Sequence, residues 1–322
     1  MRQFIAMISL KSYLVIILIV FSSACSIANH TEKSRLYKLN NAPDELVLKH
    51  LHYLSSDALN GRRIGTAGGK LAQDYIVRQL QFDNIKPLAK NYLSAFSFNS
   101  LFKSTQGHNV VGYIKGTEFP NSFIVLSAHF DHIGSQGSKI FNGADDNASG
   151  TAALLYYAKR LKESPLRYSV VLLFTDGEEL NLKGANAFVK QNPQLLSNIV
   201  LNINLDMIAG AANTKHLRYI SRGLDKVLAR DKILALQQQA YPIQLKSGFR
   251  PSNRRDQKNI KWEISSDHGV FYRQKIPFIY YGVGNHKNYH QTTDSYENIN
   301  QAFFIAAVAV IYHQIGFIDR NL

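Results

Sequence analysis

Five short runs, "NVVGYIKG", "SFIVLSAH", "YSVVLLFTD", "NIVLNINLDM" and "PFIYYGVG", constrain the fold of this chain more than any other feature. Each is rich in β-branched or aromatic residues, and most end in polar or glycine-rich turns. A strand with one wet face alternates apolar and polar residues; a nearly continuous apolar strand must be covered on both faces. Helical spacing of apolar residues appears between several of the runs, in "GTAALLYYAKRLKE", "LKGANAFVKQ" and "LDKVLARDKILALQQQA", and again in the last long segment, "AFFIAAVAVIYHQIGF". Two further helices, "PDELVLKHLHYLSSD" and "TAGGKLAQDYIVRQLQF", precede the first strand. The alternation predicts a single α/β domain with a mostly parallel or mixed central sheet and helices on both faces. With 322 residues and 45% hydrophobic content the chain can fill such a core.

Ligand sites in open α/β sheets lie beyond the carboxyl ends of the strands, and here those ends carry ionisable residues. His129 closes one run, Glu178 and Glu179 follow the next, Asp206 directly follows a third, and His290 lies downstream of the last. The loop "NGADDNASG" adds Asp146; by itself this stretch suits a turn that caps the following helix. So many carboxylates cannot share one cleft unless cations neutralise them. Imidazole and carboxylate donors without thiolate fit zinc, with manganese or cobalt possible on donor type alone. Five donors exceed the three that one catalytic zinc usually takes, and two metals sharing a bridging carboxylate accommodate them.

Five ordered blocks, "SAHFDHIG", "NGADDNASG", "DGEELNLKG", "LDMIAG" and "HQTTDS", resemble the zinc aminopeptidases of peptidase family M28, especially bacterial exported members. The upstream "YLSSDALNGRRIGTAGGKLAQDYI" also resembles the segment before their catalytic core. The resemblance implies a zinc-exopeptidase-like fold over residues 42–322. It assigns His129, Asp146 and Asp206 to one zinc and Asp146, Glu179 and His290 to the other, so that Asp146 bridges and Asp145 is structural. Glu178 matches the family's general base. Asp131, Asp267 and Asp294 are expected in supporting positions around the ligands, while His132, His268 and His286 are set aside because the family's ligand set is already filled. The implied substrates are peptides with a free N-terminus. A glutaminyl cyclase on the same fold and a non-catalytic metal-stabilised binding protein are the alternatives; a free base beside the metals argues against the second. "NASG" lacks the G-x-S-x-G elbow of a serine hydrolase.

The N-terminus points to export. Arg2 and Lys11 precede the apolar run "YLVIILIVF" and the small residues "SSACS", as in a secretory signal, and the run is shorter than the roughly 20 residues a bilayer crossing needs. Cleavage is expected after residue 24, with a polar linker over 25–41. "FSSAC" resembles a lipoprotein signal in which Cys25 is lipidated, which places the protein in the bacterial periplasm or cell envelope with a possible lipid anchor. Cys25 is the sole cysteine, so no intramolecular disulfide can form. The formal charge of +14 concentrates partly in the segment 246–261, yet no helix-turn-helix, zinc-finger or aromatic RNA-binding pattern accompanies it, and no nucleic-acid partner is expected.

Overall fold

The computed structural model describes residues 45–100, 103–249 and 260–322. Cys25, the apolar leader, the linker 25–41 and most of the basic segment 246–261 lie outside these residues. The described residues belong to one compact unit.

Two helices lead into the sheet, α1 (Glu45–Leu54) and α2 (Ala67–Phe82). Thr66 caps α2 by accepting from the Gly69 amide at 3.2 Å. Gly68 follows because the helix start lies against the preceding turn: a Cβ there would stand 1.8 Å from the Leu59 carbonyl oxygen.

The strands are β1 (Lys86–Pro87), β2 (Leu93–Ser100), β3 (Lys103–Ile114), β4 (Phe119–His129), β5 (Gly134–Gln136), β6 (Lys139–Phe141), β7 (Tyr168–Thr175), β8 (Ile199–Leu205), β9 (His216–Arg222), β10 (Gln244–Ser247) and β11 (Phe278–Gly282). Among the described residues the main sheet has the order β1-β3-β7-β4-β8-β11-β9-β10, with β2 also paired to β3. Its centre, β7-β4-β8-β11, is parallel throughout. Antiparallel pairings of β3 with β7 and of β11 with β9 flank that centre, so the sheet is mixed. A small β5–β6 hairpin stands apart.

The remaining main helices are α3 (Gly150–Glu163), α4 (Lys183–Gln191), α5 (Arg230–Gln238), α6 (His268–Arg273) and α7 (Gln301–Asn321). Both faces of the sheet are covered, as the apolar runs require. Val170, Leu172 and Phe174 of β7 pack into one cluster with α1, α2, α3 and α7, while Val171 and Leu173 pack into a second with Phe188 of α4 and Phe271 of α6. The apolar character of α7 belongs to this core: Phe304, Val308, Ile311, Ile315 and Ile318 are buried.

The five expected strands and six expected helices all appear, with shifted ends. The long pattern at 224–240 divides into a short turn at Leu224–Lys226 and α5. Six strands were not anticipated, among them the short β1, β5 and β6. β2 and β9 are half-buried with polar residues in alternation, and β10 is only four residues long, so none forms an apolar run.

Candidate metal centre

The parallel pairing of β7, β4, β8 and β11 puts their carboxyl ends on one edge of the sheet. His129 is the last residue of β4, and Asp206 follows β8 directly. Glu178 and Glu179 occupy a 3-10 turn just beyond β7. His290 arrives on the loop after β11, and Asp146 sits in the tight turn Ala144–Ser149 that starts α3.

These side chains converge in two groups that share Asp146. His129, Asp146 and Asp206 form the first; His132, Asp146, Glu179 and His290 form the second, with donor atoms within 4.8 Å of one another in each. The two oxygens of Asp146 point to different groups. Oδ1 lies 3.4 Å from His129 Nε2, and Oδ2 lies 3.1 Å from His290 Nε2. His129 Nε2 is also 3.4 Å from Asp206 Oδ1, and His290 Nε2 is 3.1 Å from Glu179 Oε2.

His132 is the residue that sequence reasoning set aside and the structure brings in. Its Nδ1 lies 2.8 Å from Glu179 Oε1 and 3.8 Å from Asp146 Oδ2. Gly143 makes room for it: a Cβ there would lie 2.6 Å from the His132 ring and 2.1 Å from the Asp146 carbonyl oxygen. The signal was the second histidine of "HFDH", three residues after His129. His268 instead stacks on Tyr280 at 4.4 Å and reaches the Trp262 carbonyl at 2.8 Å. His286 Nε2 lies 2.7 Å from Asp145 Oδ2. Asp145 also accepts from the Ala209 amide at 2.7 Å, so its carboxylate joins the turn to the segment beyond Asp206.

The supporting carboxylates take distinct positions. Asp294 accepts from the amides of Asp145 and Asp146 at 2.9 and 3.0 Å, holding the shared ligand's backbone. Asp131 accepts from the Glu178 amide at 3.0 Å and approaches His129 Nδ1 at 3.7 Å. Asp267 touches neither donor group by hydrogen bond; it accepts from the Thr175 hydroxyl at the end of β7. Burial, with help from Asp131 and Asp206 and against His129 and Thr175, pushes Asp267 up to about 7.

Arg62 is a further element that the motifs did not disclose. Fully buried, it donates to the carbonyls of Leu54 and Asn142 at 2.5 Å, Phe130 at 2.8 Å and Gly143 at 3.0 Å. One guanidinium therefore ties the strand end carrying His129 to the turn carrying Asp146. Burial lowers it to about 10, with Asp146 and Asp294 opposing, so it stays charged at neutral pH.

The electrostatics fit a cation. Burial raises Glu178 well above the usual carboxylate range; His129 opposes this, while Asp206, Asp267 and Glu179 add to it. Burial also raises Asp206, against the pull of His129. For Asp146 the balance reverses: burial is outweighed by hydrogen bonds to His129 and His290, and the group falls well below its ordinary value. His290 rises to about 10 because Asp146 and Glu179 outweigh its burial. Both ring nitrogens of His132, Glu179 Oε1 and His290 Nε2 are buried without a well-aligned hydrogen-bond partner. Buried polar atoms are ordinarily satisfied, and these unpartnered donors face one another around Asp146. A cation held by imidazole nitrogen and carboxylate oxygen would satisfy them.

Comparisons with known proteins identify the family and the fold. Residues 109–315 match Peptidase family M28. The chain is 30% identical over 196 residues to the alkaline phosphatase isozyme conversion protein of Escherichia coli (strain K12), covering 55% of either chain, so it spans about half the length of that relative. The fold resembles that of a zinc aminopeptidase from Bacillus subtilis, with a TM-score of 0.60 at 16% identity, covering 84% of this chain and 94% of that one. It resembles equally that of the Macrostomum lignano glutaminyl cyclase, with a TM-score of 0.65 at 19% identity and coverage of 85% and 90%. The fold, the ordered motifs and the family match over most of the domain lead to one conclusion: this chain belongs to peptidase family M28.

Proposed function

We propose that this protein is an exported aminopeptidase that hydrolyses the first peptide bond of peptides with a free N-terminus, using two zinc ions. The observation that carries the reading is Asp146, whose two carboxylate oxygens each face a separate donor group, with Glu178 beside both groups and a member of neither. His129, Asp146 and Asp206 would hold one ion; Asp146, Glu179 and His290 would hold the other, with His132 against Glu179. When bound, the two ions supply Lewis acidity to the scissile carbonyl and to the attacking water.

The chain's own groups do the rest. Glu178 takes a proton from the attacking water and returns it to the leaving nitrogen, so the proton balance closes on one carboxylate. Asp131 fixes the backbone at Glu178 and lies behind the His129 ring. The cleft of about 240 Å³ over these groups is walled by Met207, Ile260, Trp262, Tyr280 and Tyr289, which suits the ammonium group and side chain of an N-terminal residue. Support for export and for a lipid anchor at Cys25 comes from the N-terminal sequence alone.

The test is a substrate panel on purified protein supplied with zinc: aminoacyl anilides, N-blocked peptides, dipeptides and glutaminyl substrates. Turnover of the anilides, none of the N-blocked peptides, and loss on chelation are expected. Cyclisation of glutaminyl substrates with one tightly held metal would replace this reading by the glutaminyl cyclase one. For the anchor, Cys25→Ser should release the protein from membranes or block its processing; an unmodified mature N-terminus by mass spectrometry would remove that part alone.

A further inference from the structure

A second cleft, of about 480 Å³, lies beside the candidate centre and shares Glu179 with it. The two clefts differ in charge. The cleft over the centre is lined by the carboxylates of Asp146, Glu178, Glu179 and Asp206, whereas the second carries the cations Arg63 and Lys183. Arg63 donates to the Ile133 carbonyl at 3.0 Å, one residue beyond His132, which holds its guanidinium near the centre. Lys183 has its Nζ 5.2 Å from the ring centre of Phe98 on the opposite wall. Neither cation forms an ion pair with a carboxylate among the described residues. Glu179, at the inner end of this cleft, already faces His132 and His290.

We infer that Arg63 and Lys183 bind a carboxylate on the leaving fragment of the substrate, so that acid-bearing peptides are preferred. The inference rests on the aminopeptidase reading above. A peptide bond placed against Glu178 and Glu179 has two ends. Its N-terminal ammonium matches the acidic, aromatic-walled cleft, and its other fragment then extends past Glu179 into the basic one. Two unpaired cations there favour a carboxylate through charge-assisted hydrogen bonds, and a guanidinium can offer it two at once. The carboxylate has two sources: an acidic side chain on the second residue, or the terminal carboxylate of a dipeptide.

Four substrates separate these sources. Leu-Glu-amide against Leu-Gln-amide tests the side chain, and Leu-Gly against Leu-Gly-amide tests the terminus. At low salt kcat/KM is expected to be about tenfold higher for at least one acidic partner, mainly through KM, with the advantage shrinking as salt rises. Arg63→Gln combined with Lys183→Gln should erase that preference while leaving turnover of leucyl anilide within about twofold; Arg63 is exposed and Lys183 half-buried, so Tm should fall only slightly. Binding of aspartate amide against asparagine amide, followed by calorimetry, reads the same cleft without turnover. Equal binding of these two amides by the wild-type protein, or a preference that survives in the folded double variant, overturns the inference. If no aminoacyl substrate is turned over, the aminopeptidase reading fails and the calorimetry alone decides whether these cations select a carboxylate.

Discussion

The two donor groups that meet at Asp146 are built in different ways. In the first, His129 and Asp206 stand at the ends of β4 and β8, which pair in parallel register up to Ser127 and Asn204, and all three donors are buried. Hydrogen-bonded strands place the ends of their neighbours within a few ångströms of each other. In the second, His132, Glu179 and His290 come from three separate loops, and the His290 side chain is 34% exposed. Loop donors need their own fastening, and beside Glu179 the Asp131 contact to the Glu178 amide supplies it, while Arg62 and Asp294 hold the turn of Asp146 that both groups share. The difference teaches that the strand-borne group should hold its cation more firmly, and the loop-borne group should lose its cation first when a chelator is added.

The largest effect is expected where the groups join. Asp146→Ala removes the donor common to both, so elemental analysis should find both ions lost and activity should fall below detection; one ion retained at full occupancy would break the sharing. Next comes Glu178→Gln, which keeps the shape of the side chain but cannot accept a proton. Turnover should fall by about 10²–10⁴-fold with metal content unchanged. The paired control, Glu179→Gln, should lose activity together with metal from the loop-borne group and with lower thermal stability. Near-normal turnover in Glu178→Gln with its metals retained would remove Glu178 from its role.

A smaller change sharpens the difference between the groups. His132→Gln should weaken only the loop-borne cation, by about 10–100-fold, because the ring lies against Glu179 while the His129 group makes no use of it. A metal titration in which both binding steps shift equally would show that the groups are not independent. Asp294→Asn replaces an acceptor by a donor facing the amides of Asp145 and Asp146, and should cost about 1–3 kcal/mol of stability in denaturant unfolding.

The smallest effect concerns pH and lies away from both groups. Burial, only partly offset by the hydrogen bond to Trp262, lowers His268 from 6.5 to about 3. The folded state keeps this ring neutral while the unfolded chain protonates it below its ordinary value. Its contribution to stability is therefore complete above pH 6.5 and is lost as pH falls towards 3. His268→Phe, which preserves an aromatic ring against Tyr280, should make the fall in Tm between pH 6.5 and 4.5 shallower. An unchanged slope would assign the acid sensitivity to the carboxylates of the centre instead.

How far each residue could be read in the chain follows from how it is held. His129, Glu178, Glu179 and Asp206 were legible because an apolar run names the strand and the strand's end names the place. His290 is eight residues past Gly282, and only the "HQTTDS" motif singled it out from His286. His132 carried no periodic signal: in a loop, a spacing of three residues does not fix direction, and the approach to Glu179 depends on the room left by Gly143. Arg62 reads as one of two adjacent arginines in "NGRRIG", yet it is buried while Arg63 is exposed.

The sequence by itself determined the two-faced sheet, the alternation of strands and helices along the chain and the chemical character of the site. These follow from apolar periodicity and from which ionisable residues end the strands, both local properties of the chain. Tertiary structure alone decided that His132 joins one of the donor groups that meet at Asp146, and that Arg62 and Arg63 serve opposite environments. Those outcomes depend on contacts between segments far apart in sequence, such as the Arg62 hydrogen bonds to Phe130 and Asn142, and no local pattern records which distant carbonyl a buried guanidinium will meet.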